Sequence, residues 1–410
     1  MAIAAITGAS VSDRDTLLFD PARHEPLAGI AWDDGPARRA IEAIVARTED
    51  AFREDELWPA HPQDLEDGPL PHVASLYLGA SGVVWALHEL ERLGVAELRG
   101  EWGEVAARLP DAYRARPDYP ELVDGPVPSL LNGESGILLV AHRLAPTVEQ
   151  ERQLRAAIEA NADNPTRELM WGSPGTMLAA QVMHERTGGD AWLDAWNASA
   201  DILWDAWDDE LWLQDLYGSP LHIFGPAHGF AGNVLVLARG GALDQVRRRE
   251  LERRAVRVLA RHAIRADGLA QWPPSLEPSS QEARTQWCHG APGIVASCAT
   301  LAPGDPELDE LLLAGGELTW RAGPLRKGAN LCHGTAGNGY AFLKLFERTG
   351  DELWLERARA FAMHAVAQVE QGVAEHGRGR HTLWAGDPGT ALYLESCLSA
   401  TAAFPTIDRF

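Results

Sequence analysis

A Gly-x-x-Gly pair followed by an apolar helical pattern recurs seven times in this chain, and that recurrence restricts the fold more than any other feature. The blocks are "LYLGASGVVWALHEL" (Gly79, Gly82), "SLLNGESGILLVAHRL" (Gly133, Gly136), "LMWGSPGTMLAAQVM" (Gly172, Gly175) and "PAHGFAGNVLVLAR" (Gly229, Gly232). They continue with "WCHGAPGIVASCAT" (Gly290, Gly293), "LCHGTAGNGYAFLKLF" (Gly334, Gly337) and "LWAGDPGTALYLESCL" (Gly386, Gly389). A single such pair means little. Seven of them, each opening the same kind of segment, define a repeat.

After each second glycine the apolar residues fall at helical spacing, as in Val84, Leu87 and Leu90 or Tyr340, Leu343 and Phe346. Longer amphipathic stretches such as "ARRAIEAIVARTEDAF" and "RRRELERRAVRVLARHAI" lie between the blocks. Each repeat therefore reads as two helices, a charged outer one and an apolar inner one that starts at the glycines. Glycine there lets helix starts approach closely and permits positive φ in the turn. No alternating run suggests a major sheet. The inner helices need cover on every side and no terminal repeat is polar enough to cap an open stack, so a closed ring is expected. The fold class is all-α, an (α/α)7 toroid with its glycine turns around one end of a central cavity. One domain is expected over 1–410, with an N-terminal helical segment over 1–70 and the repeats over 75–400.

Composition narrows the partners. The chain has 410 residues, 46% of them hydrophobic, and a formal charge of −23, which disfavours nucleic acid and anionic membranes. No segment reaches the length of a membrane span, and "MAIAAITGASVSDRD" lacks the features of a secretion leader. Four cysteines, Cys288, Cys298, Cys332 and Cys397, are too few for a disulfide framework and suit a reducing cytoplasm. The fifteen tryptophans, several within "AWLDAWNASADILWDAWDDELWL", read as core.

The two positions ahead of each first glycine carry the chemical signal. Repeats one, two, three and seven show Tyr77-Leu78, Leu131-Asn132, Met170-Trp171 and Trp384-Ala385, a mixture that packing alone explains. Repeats four, five and six show Ala227-His228, Cys288-His289 and Cys332-His333. In a ring, equivalent positions of neighbouring repeats converge. Two thiolates and an imidazole then suit zinc with one position open. Buried packing cysteines and a thiol nucleophile are the alternatives, and symmetry alone does not separate His289 from the other donors. Cys298 and Cys397 lie within apolar helices and read as core.

"WCHGAPG", "LCHGTAGNGYAFL" and "GPAHGFAG" resemble the signature of the lanthionine cyclase (LanC-like) family, and "ELMWGSPG" is closest to its glutathione-associated branch. The resemblance implies zinc ligands at Cys288, Cys332 and His333, and no ligand role for His289. It implies an acid/base histidine at His228, an arginine at Arg284 to hold a developing oxyanion or a carboxylate, and a carboxylate at Glu168 near the histidine. Lys327 resembles a glutathione-contacting lysine. The activity implied is addition of a cysteine thiol, from glutathione or a peptide, to dehydroalanine or dehydrobutyrine residues of a peptide or protein. A cytoplasmic monomer is expected. A scaffold that binds zinc and glutathione without turnover is the alternative. A carbohydrate-acting α/α barrel is the third reading, and it leaves the two cysteines unexplained.

Overall fold

The computed structural model describes residues 18–64, 73–119, 125–208, 210–239, 242–277 and 283–410. The opening segment read above for a leader, residues 1–15, lies outside them. Among the described residues, fourteen α-helices alternate between two layers. The outer layer holds α1 (Asp34–Ala51), α3 (Trp102–Ala115), α5 (Val148–Ala160), α7 (Asp190–Asp205), α9 (Gln245–His262), α11 (Pro306–Ala322) and α13 (Glu352–His376). The inner layer holds α2 (Ala80–Arg92), α4 (Glu134–Leu144), α6 (Ser173–Thr187), α8 (Phe230–Ala238), α10 (Ala291–Cys298), α12 (Thr335–Thr349) and α14 (Asp387–Ser399). Each inner helix packs on the next and α14 packs on α2, so the ring is closed. The named strands make only two antiparallel hairpins, β1 (Gln214–Leu216) with β2 (Ser219–Leu221), and β3 (Ile264–Ala266) with β4 (Leu269–Gln271).

The two layers begin differently for a physical reason. Five of the seven outer helices, all but α3 and α7, use side-chain caps. Asp33, Asp244, Asp305 and Asp351 accept backbone N–H bonds, and Thr147 forms a capping box with Gln150. Every inner helix begins after a glycine with no side-chain cap. In five of them the first helical N–H bonds instead to a loop carbonyl seven residues earlier: Ala80 to Val73, Glu134 to Val127, Phe230 to Ile223, Thr335 to Gly328 and Asp387 to Arg380. The orphan donors of a buried helix start are thus satisfied by backbone.

This loop explains both glycines. A Cβ on Gly133 would sit 2.2 Å from the Val127 carbonyl oxygen, and one on Gly386 2.1 Å from that of Arg380. The second glycine admits the neighbouring repeat. A Cβ on Gly389 would meet Leu331 of repeat six at 2.8 Å, one on Gly337 Trp287 of repeat five at 3.0 Å, and one on Gly82 Leu383 of repeat seven at 2.8 Å. Close approach is therefore the general reason for these glycines. Positive φ is not: of the fourteen, only Gly290 has it, at +102°.

The tryptophan-rich stretch is core, as its spacing suggested. Trp192, Trp196, Trp207 and Trp212 are buried, and Trp207 stacks on Trp212 with centroids 4.2 Å apart. Cys298 and Cys397 are fully buried in α10 and α14. Among the described residues no helix is long and apolar enough to cross a membrane.

Candidate functional site

Hydrogen bonds between backbones string the positions ahead of the glycines around the rim. Tyr77 N–H donates to the Leu131 carbonyl at 2.8 Å, Trp384 N–H to Tyr77 at 3.2 Å, Cys332 N–H to Trp384 at 3.0 Å, and Cys288 N–H to Cys332 at 3.1 Å. Repeats two, one, seven, six and five are thereby joined in that order. The registry brings Cys288 and Cys332 side by side.

Their thiols lie within hydrogen-bonding reach and form one unit. The bond from Cys332 holds Cys288 below the usual thiol range; burial opposes this, while the Gln286 amide, 2.9 Å from Sγ, and the charges of His228 and Lys327 assist. Cys332, giving its proton to Cys288 and buried beside it, is pushed well up even though the Tyr77 hydroxyl reaches it and Lys327 lies near. All four cysteines are free of disulfides.

His333 follows Cys332 at the start of α12, where its backbone N–H donates to Asn330 Oδ1 at 3.0 Å. Burial, then the charges of Lys327 and Arg380, lower its imidazole to about 4, so it is neutral at pH 7. Two soft sulfurs and a neutral imidazole are the donors zinc prefers. The geometry gathers only the sulfurs: among the described residues no three His, Cys, Asp or Glu side chains form a cluster able to hold an ion. His333 is adjacent to Cys332 in the chain and does not complete such a cluster with the two sulfurs.

His228 and Glu168 form the second unit. His228 Nδ1 stands 2.9 Å from Glu168 Oε2, across repeats four and three. Glu168 is fully buried and also accepts the N–H groups of Met170 at 2.9 Å and Trp171 at 2.6 Å. Burial works to lower His228, but the Glu168 bond and charge, with Cys288 beyond, leave it raised. With Nδ1 tied to the carboxylate, Nε2 is the nitrogen free to exchange a proton.

His289 lies beside His228, with ring centroids 6.2 Å apart. Burial, then the charges of His228 and Arg284, depress it to about 3. Arg284 is half-buried on the loop that ends at Cys288 and is near enough to act on His289. Lys327 is exposed, and its charge acts on both cysteines and on His333. With Arg326, Asn330, Arg378 and Arg380, and with the carboxylates of Glu25, Glu375 and Asp387, it lines a polar cavity.

Tyr77, Gln286 and Asn330 escaped the sequence reading. Tyr77 occupies the same repeat position as the cysteines, so the signal was present as a hydroxyl where Leu or Met would pack. Its closeness to Cys332 depends on ring closure, which makes repeats one, seven and six consecutive.

A ring of seven helix pairs with paired thiols at its rim defines a class, and the comparisons agree. The sequence profile described as "Lanthionine synthetase C-like protein" matches residues 65–408. The chain belongs to this family. It is 31% identical over 204 residues to "Glutathione S-transferase LANCL1" of Danio rerio, covering 48% of this chain and 47% of that protein. It is 37% identical over 94 residues to "LanC-like protein GCL1" of Arabidopsis thaliana, 22% of each. Less than half of either relative's length is thus aligned. The solved structure of "Nisin cyclase" superimposes with a TM-score of 0.58 at 14% identity, covering 88% of this chain and 93% of that one, which shows the shared fold.

Proposed function

We propose that this chain is a zinc-dependent enzyme that adds a cysteine thiol to the double bond of a dehydroalanine or dehydrobutyrine residue, forming a thioether. The observation that carries the reading is the sulfur pair Cys288–Cys332 set next to the His228–Glu168 pair. Cys288, Cys332 and His333 would hold the metal, His333 completing the set. Bound zinc supplies the positive charge that keeps the donor thiol deprotonated near neutral pH.

The residues divide the remaining work. The donor sulfur attacks the β-carbon, the π electrons move toward the acceptor carbonyl, and a proton is returned at the α-carbon in place of the one the thiol lost. His228 Nε2 delivers that proton, and Glu168 fixes the ring and stabilises its charged form. Arg284, whose charge already acts on His289 beside His228, would stabilise the negative charge that develops on the enolate oxygen. Lys327, in a cavity of mixed charge where Arg326 and Arg378 face Glu25, Glu375 and Asp387, would be the contact for a donor carboxylate such as those of glutathione; a relative named as a glutathione S-transferase supports that choice.

The decisive experiment incubates purified, zinc-loaded protein with a dehydroalanine peptide and either glutathione or a Cys peptide, with adducts followed by mass spectrometry. Adduct above the uncatalysed rate is expected. Zinc bound with no such acceleration would leave only a binding protein.

A further inference from the structure

The rim has two unlike halves. Repeats four to six carry His228 and the two Cys-His pairs, while repeats seven, one, two and three present Trp384, Tyr77, Asn132 and Trp171. Tyr77 stacks on Trp384 at 5.9 Å and 26°. The Tyr119 hydroxyl donates to Asn132 Oδ1 at 3.4 Å, and its ring meets Trp171 edge-on at 5.4 Å. Trp171 in turn meets Tyr217 edge-on at 6.1 Å. Tyr119, Trp171 and Tyr217 thus form a continuous row of rings, tied to the chemistry at Trp171, whose backbone N–H holds Glu168.

Tyr217 is the unusual member. It is 66% exposed and sits at the tip of the β1–β2 hairpin with φ +53°, followed by Gly218 at +75°. Both central residues of this two-residue turn have positive φ, as in a type I′ turn, where Asn-Gly is the favoured pair and an aromatic is disfavoured. The hairpin is tied to the Glu168 loop: Asp215 N–H donates to the Pro165 carbonyl at 3.0 Å, and Arg167 to the Leu213 carbonyl at 3.4 Å. The Tyr217 ring rests edge-on against Trp171 rather than standing alone in solvent. A strained, exposed aromatic fixed beside a proton-transfer pair points to a role outside the fold's own packing.

We infer that Tyr217, Trp171 and Tyr119 form a subsite for an aromatic side chain adjacent to the dehydroamino acid of the acceptor peptide, with Tyr217 setting specificity. The inference rests on the acceptor reading above. Glu168 ties the row to the chemistry, since it holds both His228 and the Trp171 N–H, so the residues flanking a double bond at His228 would meet the row first at Trp171. Rings offered edge-to-face favour an aromatic guest by about 0.5–1.5 kcal/mol beyond its area, or about two- to tenfold in affinity.

The test uses two acceptor peptides that differ only in having Phe or Gly next to dehydroalanine, with glutathione as donor, on wild-type, Tyr217→Phe and Tyr217→Asn proteins. The wild-type and Tyr217→Phe proteins should prefer the Phe peptide by about two- to tenfold, expressed in KM. Tyr217→Asn should lose the preference while melting no lower, because Asn-Gly suits the turn. A wild-type protein without preference, or a Tyr217→Asn protein that keeps it, overturns the inference. If no protein forms adduct, the acceptor reading falls; anisotropy of the labelled peptides then tests the subsite separately. Tighter Phe-peptide binding that Tyr217→Asn abolishes supports it, and equal binding overturns it.

Discussion

At the residue scale the site is two coupled pairs, each combining an apolar burial with one compensating partner. His228 would be an uncharged core histidine were Glu168 not beneath it. Replacing His228 by Asn should slow adduct formation about 10²–10⁴-fold with zinc content unchanged, measured by mass spectrometry and metal analysis. Equal loss of both would make the histidine structural. The raised His228 also sets a pH dependence in the metal-free protein. Its folded value lies above the ordinary 6.5, so its stabilising contribution is full below about pH 6.5 and lost as pH rises through the raised value. Urea unfolding should accordingly show the wild type's advantage over His228→Asn shrinking from pH 6 to pH 9. Cys332→Ala removes one sulfur of the pair and should strip the protein of most of its zinc.

At the element scale the glycines make a sharper distinction than helix propensity does. Gly389→Ala puts a Cβ 2.1 Å from the Leu383 carbonyl oxygen and against Leu331, with no flexible atom to yield. It should cost about 1–3 kcal/mol or more, read as a lower melting temperature. Gly372, inside α13, has nothing within 4 Å of its would-be Cβ. Gly372→Ala should therefore stabilise by about 0.5–1 kcal/mol. The helix spacing, the outer-inner alternation and the glycine repeats were all legible in the sequence because they are local. That the glycines serve contact rather than positive φ was not, since the loop carbonyls they face are placed by the folded turn.

At the scale of the whole molecule, closure is what makes the site. Trp384 N–H meets the Tyr77 carbonyl, and α14 packs on α2, so the last repeat is as necessary as any other. Deleting residues 383–410 should give a chain that loses its cooperative unfolding transition and helical signal, whereas an open stack would lose one terminal repeat and keep the rest. Retained two-state unfolding would contradict a closed ring. The sequence by itself determined the seven-fold helical repeat and marked repeats four to six as the ones that carry chemistry, because periodicity and residue type are properties of the chain. Folding settled which side chains meet: Cys288 with Cys332, His228 with Glu168, and Tyr77 at Cys332. Those meetings depend on the register of loops against neighbouring repeats, a matter of backbone hydrogen bonds that no residue spacing encodes.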